Sequence, residues 1–448
     1  MTLPRWTAYV ALAVIAILIA TAVPRRTKPT DPEAARTARA TGTVALPDAK
    51  HPRIVVLGID GMDPEILARV MEEHPDRMRN FRRLADAADG VRSLGTSTPP
   101  QSPVAWSNFI TGRNPGGHGV YDFIHRNRST YSIEPSTVVI EDGGSMGVPF
   151  TDYKIPRGGG SEPNRSGRAF WSILADADVP ADLYRVPINY PVEPSKGVSF
   201  PGMLTPALDS AYGTYTIFTT DPPPKLETSG GKFRAVRESM GAIRTQLEGP
   251  VNVLKEGDPT ATTPLTIYVD ERRNTATIEV GSEHVVIRPG QWSRFCRVTF
   301  ELAPMGAMNL GGIVRFYLRS IGPEFVLYAS PVNFDPVAPV DTISLPEDAS
   351  ADLAEAIGDY YTQGMAEEVS ALKDGAFTDA EFMAQAELVY LERKRMLDHA
   401  LDRYTANEEG GLLFFYVSSV DLSMHMMWRH QDPEHPFFDA AVAAEDSS

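Results

Sequence analysis

The chain has 448 residues, 42% hydrophobic and 22% charged, with a formal net charge of −16. This profile excludes a disordered chain and allows a sizeable core, while the acidic balance argues against a nucleic-acid polymer as partner, since such proteins show a basic footprint. The single cysteine, Cys296, excludes an intrachain disulfide framework and, within the apolar run Phe295–Phe300, reads as a small buried hydrophobe in a strand.

An uninterrupted apolar run from Ala8 to Val23 follows Arg5 and precedes Arg25, Arg26 and Lys28. Extended by Trp6 and Thr7, it approaches the length of a membrane-spanning helix. Ala20-Thr21-Ala22 also offers a small-x-small cleavage site. Residues 1–23 are therefore read as the anchor of an exported, extracytoplasmic protein, or as the signal of a secreted one if cleaved. Residues 24–50, rich in Thr, Pro, Ala and charge, read as a linker.

Order is expected from Arg53. The run Ile54–Ile59 suits a strand buried on both faces, and Asp60-Gly61-Met62 turns out of it. Asp63 is a good N-cap, with Pro64 at the first helical position. Val91–Gly95 is a further candidate strand, Ala169–Ala177 a helix and Ala181–Val186 another strand. Strand–helix alternation of this kind predicts an α/β core with mostly parallel strands over residues 51–215.

Residues 216–340 differ in character. Leu265–Val269, Thr275–Val280 and Val314–Leu318 are short, β-branched or aromatic, and Asp270–Asn274 suits a hairpin loop, so this stretch reads as a β-rich insertion. Residues 341–448 return to the core. They contain a helical region over Ser350–Tyr404, a Thr378 cap and the charged run Leu391–Arg395, expected to be a solvated face. Leu412–Val417 is a second doubly buried strand leading into Asp421.

Two strand-like runs thus lead into carboxylates, Asp60 and Asp421, and ligands in open α/β sheets gather at the carboxyl ends of strands. Ser102 is placed at a helix N-cap, with Pro103 at the first helical position and Gly112 closing the helix. A hydroxyl there meets free backbone N–H groups and the positive end of the helix dipole, which also suit a phosphoryl oxygen. From the local pattern alone a merely capping serine is the preferred reading, because most serine caps have no catalytic role. Asp421 and His425, four residues apart, can share one face of a helix, and oxygen with nitrogen donors suits zinc or manganese better than calcium. Asp122 with His125 makes another acid–imidazole pair, and His430 and His435 are read as surface residues. Gly116-Gly117-His118-Gly119 is a glycine-rich turn without the Lys-Ser/Thr ending of a P-loop.

Val55-Val56-Leu57-Gly58-Ile59-Asp60-Gly61, Ser102 ahead of Phe109–Gly119, and Asp421-x3-His425 together resemble the alkaline phosphatase superfamily, in particular its type I phosphodiesterase/nucleotide pyrophosphatase branch. Tyr361–Met365 and Asp432–Pro436 resemble uncharacterised bacterial members. The resemblance implies a three-layer sandwich around a mostly parallel sheet. It also implies two divalent metal ions, usually zinc with manganese as an alternative, one held by Asp60 and Ser102 and the other by Asp421 and His425. Ser102 would be the nucleophile, forming a covalent phospho-enzyme that water then hydrolyses. The substrate would be a small-molecule or headgroup phosphate ester. A phosphoryl-group transferase of the same superfamily and a non-catalytic tethered binding domain are the alternatives.

The sequence departs from the family pattern in two ways. Where many nucleotide pyrophosphatases have Thr followed three residues later by Asn, this chain has Ser102 and Ala105, so the phosphate-binding amide is missing unless Asn108 replaces it. The later Asp-His-Gly motif and final metal-binding His do not occur in Phe437–Ser448. The expectation is a truncated product of an active parent.

Overall fold

A computed structural model describes residues 48–141, 143–209, 213–223, 228–438 and 440. The apolar run Ala8–Val23 and the end Ala443–Ser448 lie outside these residues. Among the described residues no helix is long and apolar enough to cross a membrane.

The protein is a mixed α/β structure built on one parallel sheet, with several further sheets beside it. Four strands form the parallel sheet: β1 (Arg53–Ile59), β2 (Ala181–Val186), β3 (Ser199–Pro201) and β4 (Gly411–Val417). Their spatial order is β1-β4-β2-β3. β4 is central, and its side chains alternate between two apolar clusters. Leu413 and Phe415 join one cluster with Tyr184, Leu353 and Met396, whereas Phe414 and Tyr416 join the other with Ile110, Trp171 and Leu183. Each such fully buried aliphatic or aromatic side chain contributes about 2–3 kcal/mol relative to exposure, which explains the unbroken apolar run.

β1 pairs with β4 alone among the described strands, so it is an edge of the sheet. Ile54, Val55 and Leu57 remain about half exposed, contrary to the expectation of burial on both faces. The expected strand at Val91–Gly95 is absent, and Leu94 is 91% exposed. A strand needs a paired neighbour, and no described strand reaches it.

The helices that matter to the site are α1 (Pro64–Glu73), α2 (Ser102–Thr111), α3 (Asp379–Ala406) and α4 (Ser419–Met427). Their ends follow local rules. Asp63 caps α1 by accepting the Glu65 and Ile66 amides, and Gly112 ends α2 with φ +64°. Thr378 and Glu381 form a capping box on α3.

Between β3 and α3 lie mainly antiparallel strands. Five of them, Glu238–Ser239 to Glu283–Ile287, form one sheet in sequence order, with Thr275–Val280 following Thr260–Asp270 across a short hairpin loop. The Val314–Leu318 run divides at Arg315 into two strands, Met308–Val314 and Phe316–Ser320. Arg315, between them, sets its guanidinium over the Phe295 ring, 4.1 Å from the centroid. Cys296 is fully buried at the start of the Cys296–Ala303 strand, and burial pushes its thiol up to about 11.

Candidate active site

The site forms where β1 and β4 end side by side. Ile59 lies opposite Val417, and the Asp60 amide donates to the Val417 carbonyl at 3.0 Å. β1 then turns through Gly61 at φ +69°, while β4 passes into α4, whose first turn carries Asp421. A Cβ on Gly61 would lie 2.7 Å from Asp421 Cα and 2.9 Å from its Cβ. Glycine is required here both by the left-handed backbone and by this close approach, and it is what brings Asp60 and Asp421 together.

α2 brings Ser102 to the same place. Trp106 packs edge-on to Tyr416 and Phe414, with ring centroids 5.2 and 6.0 Å away. It can approach because β1 has glycine at position 58, where a Cβ would stand 2.6 Å from the indole ring. The structure makes Gln101 the N-cap and Ser102 the first helical residue, one position later than the sequence suggested. The Val104 and Ala105 amides turn back to the Gln101 carbonyl, and the Ser102 amide takes no part in the helical ladder. Ser102 Oγ donates to Asp60 Oδ1 at 3.3 Å. The other Asp60 oxygen, Oδ2, accepts the Tyr416 hydroxyl at 2.7 Å.

Asp421 is half-buried, and its carboxyl is raised above the usual range. Burial is the first cause, followed by the Asp60 charge and opposed by His425. His425 Nε2 lies 3.6 Å from Asp421 Oδ1, with its side chain 68% exposed. Among the described ion pairs, none joins a lysine or arginine to Asp60 or Asp421. Two adjacent carboxylates with no lysine or arginine among their described ion-pair partners, together with a serine oxygen and an imidazole, have the donor chemistry of a divalent-cation site. Among the described residues, however, no group of three or more His, Cys, Asp or Glu side chains is arranged to hold a metal ion.

Other sequence candidates fall elsewhere. Asn108 does not stand in for the missing amide beside Ser102. It lies six residues further along α2, about 9 Å along the axis, and its Oδ1 accepts His118 Nε2 at 2.7 Å. The Val120 amide donates to His118 Nδ1 at 3.1 Å, which fixes this tautomer. Burial, then the Arg165 charge, lower the His118 pKa. Asp122 accepts the Phe123 amide and His125 faces Glu134 and Ser136, so the suggested pair does not form. His430 is buried, 5% exposed, with Nε2 at 2.8 Å from Asp379 Oδ2, contrary to its reading as a surface residue. His435 is partly exposed.

The sequence reading missed Tyr416 and Glu367. Tyr416 sits inside an apolar run, where core packing is the natural reading. Glu367 belongs to a buried strap, residues 361–368, held from several sides. Glu392 Oε1 accepts the Tyr361 amide, and Arg393 donates to the Tyr361 carbonyl, both at 2.9 Å. Arg185 donates to the Gly364 carbonyl, and Gln385 donates to the Ala366 carbonyl. Glu392 and Arg393 are thus buried, at 1% and 2% exposure, rather than part of a solvated face. The only advance signal was the Tyr361–Met365 resemblance.

Residues 54–220 match the family model for type I phosphodiesterase / nucleotide pyrophosphatase. The matched stretch contains Asp60 and Ser102 and agrees with the superfamily resemblance; it covers less than half of the chain and ends before Asp421 and His425. The family points to phosphate-ester hydrolysis and is typically metal-dependent. No curated protein and no solved structure gives a significant match.

Proposed function

We propose that the protein hydrolyses phosphate mono- or diesters with Ser102 as nucleophile, assisted by divalent cations. The observation that carries this reading is the Ser102 hydroxyl, donating to Asp60 at a helix head set against two converging strand ends. Asp60 and Ser102 would hold one cation and Asp421 and His425 a second, with zinc or manganese matching the donors. Bound there, the cations would supply positive charge that favours the serine alkoxide and screens the carboxylate pair.

Ser102 Oγ forms a bond to phosphorus as the bond to the leaving ester oxygen breaks, and Asp60 Oδ1 is placed to accept the hydroxyl proton. Tyr416 holds the opposite carboxylate oxygen, which fixes the orientation of Asp60. The head of α2 offers the Ser102 amide and the helix dipole to the charge on the phosphoryl oxygens. Water then bonds to phosphorus as the P–Oγ bond breaks, freeing phosphate from a monoester or a phosphate monoester from a diester, and a proton returns to Ser102 Oγ. The fold reading that accompanies this is a three-layer sandwich interrupted by the β-rich insertion, tethered outside the cytoplasm through residues 1–23.

Full-length protein supplied with zinc or manganese is expected to turn over p-nitrophenyl phosphate or its bis-ester. Ser102→Ala should lower turnover by a factor on the order of 1,000 or more, and chelation should abolish it. Metal-stimulated turnover that survives Ser102→Ala would remove Ser102 from the mechanism. The lack of a three-residue metal cluster among the described residues favours a second reading, a tethered binding domain without catalysis. Phosphate-ester binding without turnover of either ester would establish it.

A further inference from the structure

We propose that Glu367 is the positioning residue for the Asp421–His425 half of the site. This rests on the cation-assisted reading above. Glu367 is buried, 4% exposed. Its Oε1 accepts the hydroxyls of Ser419 at 2.6 Å and Ser418 at 3.2 Å, the two residues at the head of α4. Its Oε2 is buried and has no hydrogen-bond partner. A carboxylate is a poor choice for packing alone, because its desolvation is costly unless its bonds are made.

The serine contacts show what the carboxylate does. Ser418 occupies the N-cap of α4, where a serine ordinarily accepts a backbone amide of its own helix. It makes no such bond. Its hydroxyl donates instead to Glu367. Ser418 and Ser419 are successive residues, about 100° apart around the helix, so one oxygen bonded to both fixes the rotation of α4 about its axis. Asp421 and His425 project from that same helix. Their direction is thereby set by Glu367, which is itself held in the strap by α3 and β2. Residues that orient metal ligands typically change metal affinity 10- to 100-fold when removed.

The test is calorimetric titration of the full chain with zinc ion alone, beside the melting midpoint of the metal-free protein. Glu367→Ala and the double variant Ser418→Ala/Ser419→Ala are each expected to weaken zinc binding about 10-fold. The triple variant should bind no more weakly than Glu367→Ala, because the three groups act as one clamp. A purely structural role would lower the melting midpoint and leave zinc affinity unchanged, and that result overturns the proposal. If Glu367→Ala does not fold, unchanged affinity in the two-serine variant overturns it equally. A wild-type chain that binds neither zinc nor manganese overturns the cation-assisted reading itself, and with it this proposal.

Discussion

Gly61→Ala tests the geometry that joins the two strand ends. Two costs are separable. The backbone at φ +69° is left-handed, which costs an alanine roughly 1–2 kcal/mol. The new Cβ would also stand 2.7 Å from Asp421 Cα, roughly 1 Å inside normal carbon–carbon contact. The neighbour is backbone and cannot rotate away, so relieving the overlap costs a further ~1–3 kcal/mol. The alanine restricts the unfolded chain and returns about 0.4–1 kcal/mol. The net expectation is a loss of about 3 kcal/mol in urea unfolding, the middle of the range these terms span. Gly112 is the control: its φ is +64°, yet nothing lies within 4 Å of a Cβ built there. Gly112→Ala should lose only the conformational part, about 1 kcal/mol. Equal losses in the two variants would refute the close approach of the Asp60 turn to α4.

Tyr416→Phe removes the donor to Asp60 Oδ2. It should cost about 1–2 kcal/mol in denaturant unfolding and about 10-fold in turnover of the p-nitrophenyl esters, since Asp60 is then free to rotate. Undiminished turnover would show that Tyr416 does not orient Asp60. Glu368 contributes a pH dependence of stability. Burial raises its carboxyl to about 7, with the Tyr328 hydroxyl and the Ala371 amide opposing this only in part. The folded state therefore keeps a proton that the unfolded chain releases near pH 4.5, so this group's contribution to stability falls as the pH rises from there to about 7. Glu368→Gln should raise stability at pH 8 by on the order of 3 kcal/mol and flatten the urea midpoint between about pH 5 and 7. Asp209, also pushed to about 7 by burial, retains its own share of the slope. An unchanged pH profile would show that Glu368 is not buried as described.

What could be read from the sequence was local. The runs that became β1 and β4, the Asp63 and Thr378 caps and the Gly112 stop depend on neighbours a few residues away. The same is true of the Ser102-Pro103 helix head and the Asp421–His425 spacing. What depended on distant partners went astray. Val91–Gly95 has strand composition but no described strand beside it. Glu392 and Arg393 carry charge suited to solvent, yet bond the backbone of a strap some 30 residues earlier. His430 is buried because Asp379, far back in the chain, meets it.

By itself, the sequence determined the strands and helix ends that lead into the site, though not the whole set of elements, and named Asp60, Ser102, Asp421 and His425 as the residues to watch. Tertiary structure alone decided that β1 is an edge strand among the described residues, that Gly61 sets Asp60 against Asp421, and that Tyr416 and Glu367 stand behind these residues. The reason is physical. Turns and caps are short-range equilibria of the backbone, whereas hydrogen bonds and charge contacts between distant segments exist only once packing has brought those segments within a few ångströms.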